Sequence, residues 1–419
     1  MEVGEACEAI LRDVAPLETE AVPLREALGR VIAEDVYSPL ALPPWDNASM
    51  DGYAVRSEDI QKASANAPTV LKVLGTVAAG ESTRTVVGPG EAIRIMTGAP
   101  VPGGADSVVR VEDTDAGQLT VRVLSNRDAL RNVRPRGEDM AKGGLAVAHG
   151  EELHAGHLGL LASVGRAAAR VHRRPRVAVL ASGDELVDVD RFQEVLDGMK
   201  IVTSNSYSLE AAVREAGAEP VPLGFVGDDP VALRERLADH GCDLLLTTGG
   251  VSVGEFDYTR SVLAELGATM RFWRVRIRPG APLGFGLLGG APWIGLPGNP
   301  VSTLVTFELF ARPAIRRMLG HSLVYRRPVR VRLAEVVTIA APLTHFLRAE
   351  LSWRDGALNA KLTGPQGSGL LTSMARADAL LVIPANRTRV ELGEVVEALL
   401  LRDRIGHAES PSFVTDSTA

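Results

Sequence analysis

The stretch LLLTTGGVSVGEFDY, residues 244–258, passes without a break from an apolar run into a glycine-rich loop that carries Ser252, Glu255 and Asp257. A strand that ends in glycines and carboxylates is the way α/β proteins build ligand sites, because free backbone N–H groups and acidic side chains gather at strand C-termini. The flanking sequence has the same character. RVAVLAS (176–182), PVPLGFV (220–226) and CDLLLTT (242–248) are continuous apolar runs, the pattern of strands buried on both faces. Helical periods at 206–216 and 230–240 separate them. Such alternation predicts βαβ units in an open, mainly parallel sheet. A helix at 258–266, strands at 271–277 and 283–288, and an amphipathic helix at 300–319 complete this unit.

The remaining chain is read outward from that sheet. Residues 5–33 are expected to form two helices, with Ala6, Ile10 and Leu11, then Leu24, Leu28 and Ile32, at helical spacing. Pro39, Pro43 and Pro44 force an extended crossing. From about 70 to 147, short β-rich pieces cut by glycine and proline predict a small β-rich or mixed domain, residues 154–164 a helix, and residues 328–401 a separate β domain. The polar tail is expected to be disordered.

Bulk composition excludes several classes. A chain of 419 residues holds more than one core. No apolar run reaches the ~18 residues of a membrane span, and the acidic, amphipathic N-terminus is unlike a signal peptide, so no membrane association and a cytoplasmic setting are expected. The net charge of −7 argues against non-specific nucleic-acid binding. With only Cys7 and Cys242, neither a disulfide framework nor a cysteine zinc site is available; Cys242 is expected to open a buried strand.

Three loops leave the C-terminal edge of the expected sheet: 182–185 (Ser182, Gly183, Asp184, Glu185), 248–257 (Thr248, Gly249, Gly250, Ser252, Gly254, Asp257) and 296–300 (Pro297, Gly298, Asn299, Pro300). Asn299 suits an N-cap and Pro300 the first helical position, so the following helix offers free N–H groups to an anion or is simply capped. Arg274, Arg276 and Arg278 alternate with Trp273, Val275 and Ile277, which on a strand puts three guanidiniums on one face for an anion, for salt bridges or for solvent; Arg278 is the leading ligand candidate. Asp51, Asp184, Glu185, Asp228, Asp229 and Asp257 all fall in loops, where carboxylates suit Mg²⁺ but also cap turns. Asp229 before Pro230 reads as a helix cap. Thr97 ends a strand, meeting a ligand or closing a turn. No P-loop and no strand-linked GxGxxG occurs, and the three loops contain no histidine to serve a serine nucleophile.

Seven motifs in order, DNASMDGYAV (46–55), RIMTGAPVPGGADSVV (94–109), RGEDM (136–140), SGDEL (182–186), TGGVSVGEFDYTR (248–260), RPGAPLGFG (278–286) and GLPGNPVS (295–302), resemble the MoeA family of molybdopterin molybdenumtransferases, to which the E domain of gephyrin is related. The resemblance implies a multidomain α/β subunit: a central sheet domain like molybdopterin adenylyltransferase (175–325), a small β-rich domain (46–140), an elongated linking domain (1–45 with 141–174), a C-terminal β-barrel-like domain (326–404) and a tail (405–419). It implies Mg²⁺-dependent transfer of molybdate to adenylylated molybdopterin with release of AMP. It also implies a homodimer whose cleft lies between the sheet domain and the partner's second domain, with molybdopterin adenylyltransferase as a further partner. By the same correspondence Asp51, Thr97, Glu185, Asp228 and Asp257 are the functional acidic and hydroxyl residues, with Asp139 a further candidate. Asp228 and Asp257 would hold Mg²⁺, while Ser182, Gly183, Asp184, Asn205, Thr248, Gly249, Gly250, Ser252, Gly254, Arg278, Pro297, Gly298, Asn299, Pro300 and Ser302 would bind substrate.

Two positions depart from the family pattern. Ala281 replaces a lysine of a KPGKP-type segment in which Arg278 replaces another, and Thr203 stands where an aspartate commonly precedes the Ser-Asn pair. A tungsten-inserting paralogue, a dimeric scaffold on the same fold and a pterin adenylyltransferase are the alternative readings.

Overall fold

The computed structural model describes residues 1–238, 240–249, 258–339, 342–354 and 356–407. Its centre is a six-stranded mixed sheet of β1 (Arg176–Ser182), β2 (Glu219–Val226), β3 (Leu244–Thr248), β4 (Thr269–Phe272), β5 (Gly284–Leu288) and β6 (Ala291–Leu296), in the order β2-β1-β3-β6-β5-β4. The first four run parallel, and the β6–β5 and β5–β4 pairs are antiparallel. The helices α1 (Ser204–Glu215), α2 (Pro230–Ala238) and α3 (Tyr258–Glu265) alternate with these strands.

Two-faced burial follows from the period of the strand. Val177, Val179, Leu244, Leu246, Ile294 and Leu296 enter one core with Leu209, Val213, Val301 and Phe310. Their neighbours Ala178, Leu180, Leu245 and Trp293 enter another with Leu233, Leu237, Val262 and Leu263. Strand β2 departs from the expected two-faced burial, with only Val226 buried along it, because it forms the sheet edge. Continuous apolar sequence is thus not sufficient for a central position.

After the sheet, one helical rod runs through α4 (Pro300–Thr306), a π-helical turn (Phe307–Ala311) and α5 (Arg312–Met318). Beyond it β7 (Val329–Leu333), β8 (Thr344–Arg354), β9 (Ala357–Leu362), β10 (Ala379–Ile383) and β11 (Val395–Leu400) close into a five-stranded barrel, since β8 pairs with both β9 and β10. The helix α6 (Leu371–Arg376) lies between β9 and β10 in the chain. On the N-terminal side a five-stranded mixed sheet is ordered 107–110, 52–55, 91–95, 69–77, 120–123. The expected strand pieces between 70 and 147 are therefore present.

Several expectations change. The first helix exists as Val3–Arg12, but the second does not: Thr19–Pro23 is a strand paired with Ala168–His172, followed by a single 3₁₀ turn, Leu24–Glu26. The spacing of Leu24, Leu28 and Ile32 imitates a helix, yet Leu28 is exposed and the chain there is fixed by cross-strand bonds. The expected strand 271–277 ends at Phe272, and Ala291–Leu296 was not among the expected strands. Cys242 precedes its strand and is only partly buried; both cysteines are free, and burial pushes the Cys7 and Cys242 thiols up to about 12 and 11, so neither is poised as a thiolate. Among the described residues no helix is long and apolar enough to cross a membrane. The expected disorder of the tail beyond His407 lies outside the described residues.

Trp293 anchors the second core. It is 0% exposed, stacks on Trp273 at 5.7 Å between ring centroids and donates from Nε1 to Thr247 Oγ1 at 3.1 Å. Trp293→Ala is expected to cost ~3–5 kcal/mol in urea unfolding followed by circular dichroism, from lost burial and the cavity left behind. A loss below about 1 kcal/mol would mean that the core re-closes around the gap.

Candidate active site at the sheet edge

Register brings the loops together. Ser182 is level with Val226, Ala181 with Thr248, and Thr248 with Leu296, so the chains after β1, β2, β3 and β6 leave one edge side by side. Their approach is as close as backbone allows. Gly249 has φ +87°, and a Cβ there would sit 2.3 Å from the Ser182 carbonyl oxygen; a Cβ on Gly298 would lie 3.5 Å from Gly249 Cα.

Asn205, in the first turn of α1, ties the edge together. Its Nδ2 donates to Thr248 Oγ1 at 3.0 Å and to the Gly298 carbonyl at 2.7 Å. Thr248 Oγ1 in turn donates to the Pro297 carbonyl, which also accepts from Thr303 Oγ1 at 2.6 Å. Asn205 Oδ1 is buried with no hydrogen-bond partner among the described residues, an acceptor left for a donor from outside. Thr203, where the family pattern has a carboxylate, is 4% exposed and shares a 2.7 Å hydrogen bond with Ser206.

The acidic residues gather at the same edge. Asp184 Oδ1 accepts from the backbone N–H of Asp228 at 2.9 Å, and Glu185 follows Gly183 so closely that a Cβ on Gly183 would meet its carboxylate at 2.6 Å. Desolvation, then the charges of Asp184 and Glu185, hold the Asp228 carboxyl above its ordinary value. Asp229 caps α2, its Oδ1 accepting from Val231 N–H at 2.9 Å, as its position before Pro230 predicts. Lys200, which sequence reading passed over, brings Nζ to the Asp184 carbonyl at 2.6 Å. Gly250, Ser252, Gly254 and Asp257 lie outside the described residues.

The rod beginning at Pro300 differs from expectation in two respects. Asn299 occupies the N-cap position without a side-chain capping bond. The N–H of Val301 is not free for an anion, because it donates to the Ser368 carbonyl at 3.0 Å. Behind Ser368 stands Arg348, 0% exposed, which donates to the carbonyls of Pro365, Gln366 and Gly367 and to Ser373 Oγ. Burial alone lowers its pKa to about 10. No sequence signal marked Arg348, since it sits mid-strand in a run that reads as barrel. Ser302 is buried, with its carbonyl engaged by Thr306.

The arginine row is not one strand face. Arg276 pairs with Glu2 at 2.8 Å, which accords with the salt-bridge alternative. Arg278 is exposed in the two-residue strand Ile277–Arg278, which joins the barrel through Thr344–His345. Gly280, two residues on, is where a Cβ would meet Thr306 Cγ2 at 2.4 Å and the Ser302 carbonyl at 3.7 Å, so this segment lies against the first turns of the rod.

Asp51 and Thr97 meet in the N-terminal sheet. Thr97 donates from both N–H and Oγ1 to Asp51 Oδ1 at 2.7 Å, and these two bonds, with Arg94 nearby, hold the exposed carboxyl below its ordinary value. Among the described residues, no hydrogen bond or ion pair joins this pair to the sheet-edge loops. Asp139 is exposed, with its N–H bonded to the Leu42 carbonyl.

Residues 1–165 match the family description "MoeA N-terminal region (domain I and II)", residues 178–317 "Probable molybdopterin binding domain", and residues 330–401 "MoeA C-terminal region (domain IV)". Molybdopterin molybdenumtransferase of Nostoc sp. is 37% identical over 391 residues, 92% of this chain and 89% of that protein. Molybdopterin molybdenumtransferase 1 of Mycobacterium tuberculosis is 37% identical over 404 residues, 91% of this chain and 94% of that one. The crystal structure of a molybdopterin biosynthesis moeA protein from Pyrococcus horikoshii OT3 superposes with a TM-score of 0.82 at 30% identity, covering 96% of this chain and 99% of the other. Shared sequence over nine tenths of the length, joined to the same fold, establishes that the chain belongs to the MoeA family of molybdopterin molybdenumtransferases.

Proposed function

We propose that the chain transfers molybdenum from molybdate to adenylylated molybdopterin with Mg²⁺ present, releasing AMP. The observation that carries this reading is the parallel register that sets Ser182, Asp228, Gly249 and the 297–299 loop at one edge around Asn205. Cleaving a phosphoanhydride demands charge neutralisation and an aligned oxygen nucleophile more than a strong base. Loops with carboxylates, close backbone and no histidine suit that demand. Asn205 Oδ1 accepts from the pterin, Ser182, Thr248 and the glycines bind the pterin and its phosphates, and Arg278 neutralises anionic oxygens.

The residues present fit Mg²⁺. Asp228 resists ionisation beside Asp184 and Glu185, a strain that a divalent cation relieves. Mg²⁺ commonly takes one or two carboxylates and completes its shell with phosphate and water. Asp228 and Asp257 would hold it. Bound there, Mg²⁺ would neutralise the phosphate oxygens during cleavage.

The same reading makes the protein a cytoplasmic homodimer, supplied with substrate by molybdopterin adenylyltransferase. The exposed Asp51–Thr97 pair faces the sheet edge of the other protomer. Phe192, Leu196, Met199 and Ile201, close in sequence, are exposed apolar side chains, Met199 at 97%, and apolar exposure of this kind suits a contact between protomers.

Purified protein given adenylylated molybdopterin, Mg²⁺ and molybdate is expected to release AMP in proportion to molybdate; release that ignores molybdate would overturn the reading. Tungstate in competition separates the tungsten paralogue. If the cleft is shared, mixing Asp51→Ala and Asp228→Asn protomers, each inactive, restores about one quarter of wild-type turnover, because half the dimers carry one intact cleft. No recovery, with exchange of protomers verified, would place both residues in one subunit's site.

The raised carboxyl of Asp228 predicts a pH effect on stability. A carboxyl that ionises later in the folded chain than in the unfolded one withdraws stability as pH rises through the ordinary carboxylate range, and the loss is complete above the folded value. Asp228→Asn is therefore expected to melt higher than wild type at pH 7 and to converge with it near pH 3, roughly a unit below the ordinary value. A variant that melts lower at pH 7 would show that the carboxylate is a stabilising turn residue.

A further inference from the structure

A cavity of about 750 Å³, lined by none of the sheet-edge residues described above, lies where α1, the rod α4–α5 and α6 approach one another. Its walls are mixed: Ala212, Leu304, Phe307, Met374 and Leu401 supply apolar surface, and charged side chains supply nearly as much polar surface. Its charged groups are Arg312, Arg326 and Arg402 against Glu215 and Glu308, an excess of one positive charge. Glu308 is shared, pairing with Arg326 and, at 3.6 Å, with Arg312. Arg312 is short of partners even so: its side chain is 16% exposed and its Nη1 has no hydrogen-bond partner among the described residues.

The volume lies within the range of small-molecule sites, and an apolar portion of the wall beside a charged portion with one surplus guanidinium suits a ligand with an apolar body and an anionic head. The cavity also touches the segments that build the sheet edge, three or four residues further along each. Ser208 follows Asn205 on α1, Leu304 follows Pro300 on α4, and Leu371 follows Ser368, whose carbonyl holds Val301 N–H.

We propose that this cavity is an effector site for a small aromatic or aliphatic anion, and that filling it tightens the sheet-edge elements it spans. Ordering flows through packed elements: a ligand wedged between α1, α4 and α6 restricts their relative movement, the N-terminal turns of α1 and α4 carry Asn205 and Pro300, and the loop before α6 carries Ser368. The binding claim stands independently of the transferase reading above, while any effect on turnover rests on it.

The test uses the full chain and phenyl phosphate, with inorganic phosphate and phenol as head and body alone, in isothermal titration. Phenyl phosphate is expected to bind at least about tenfold more tightly than either part, to lose at least about tenfold in Arg312→Gln and to lose saturable binding in Ala211→Trp, which fills the cavity from the exposed face of α1. Hydrogen exchange with the ligand bound is expected to slow at residues 301–304 and 364–370. Absence of saturable binding, binding unchanged in Ala211→Trp, which would locate the probe at the sheet edge instead, or binding with no change in exchange at these segments would each overturn the proposal. Because Ala211 is exposed, that variant keeps the test available should Arg312→Gln fail to fold.

Discussion

The sheet edge depends on a contact that one absent side chain permits. Ser182 and Gly249 approach until their backbones touch, so that a methyl group at 249 would collide with the Ser182 carbonyl, while Gly298 packs beside them at ordinary van der Waals distance. Asn205 has two donors to offer, and only at this spacing can Thr248 Oγ1 and the Gly298 carbonyl both fall within its reach. Separating the strand ends by the width of one methyl group would break at least one of these bonds. The fold therefore places its demand on glycine at position 249, where loops from different strands meet, and the chemistry of the edge inherits its dimensions from that demand.

How far the sequence could be read follows from where its signals are local. The runs at 176–182 and 244–248 are apolar because both faces are covered, and they became neighbouring central strands. The run at 220–226 looks the same but forms an edge, a difference that depends on strand order and has no local signature. The spacing of Leu24, Leu28 and Ile32 misled because a short strand and a 3₁₀ turn produced a helical count by coincidence. Within the candidate site, Ser182, Asp184, Glu185 and Thr248 were legible as loop and strand-end residues that share an edge and Asp228 as a loop carboxylate, whereas Asn205, in the first turn of a helix, was marked only by the family resemblance. Arg348 and Lys200 were legible in neither way, because what they do is support backbone carbonyls contributed by distant segments. The N–H of Val301 could not be foreseen as engaged for the same reason: its acceptor, Ser368, comes from the barrel's loop.

Arg348 illustrates how a buried cation is kept without a counter-ion. Its guanidinium has a carbonyl or hydroxyl for most of its donors, so the charge is solvated by dipoles of the chain rather than by a carboxylate. A planar fork meets several carbonyls at once, which a lysine ammonium cannot do from the same place. Burial still weakens the hold on its proton, the residual cost of that arrangement.

The two-residue strand Ile277–Arg278 hydrogen-bonds to the barrel, while the strands before and after it belong to the central sheet. Val275 and Ile277 also share one core with Phe346 and Leu380 of the barrel. The barrel is consequently stitched to the sheet through the interior of the chain's path, and not hung from its end by a tether. In mechanical terms the joint is built as a weld and not as a hinge: a load on the barrel meets hydrogen bonds and core shared with the sheet, and parting the two would expose that common core.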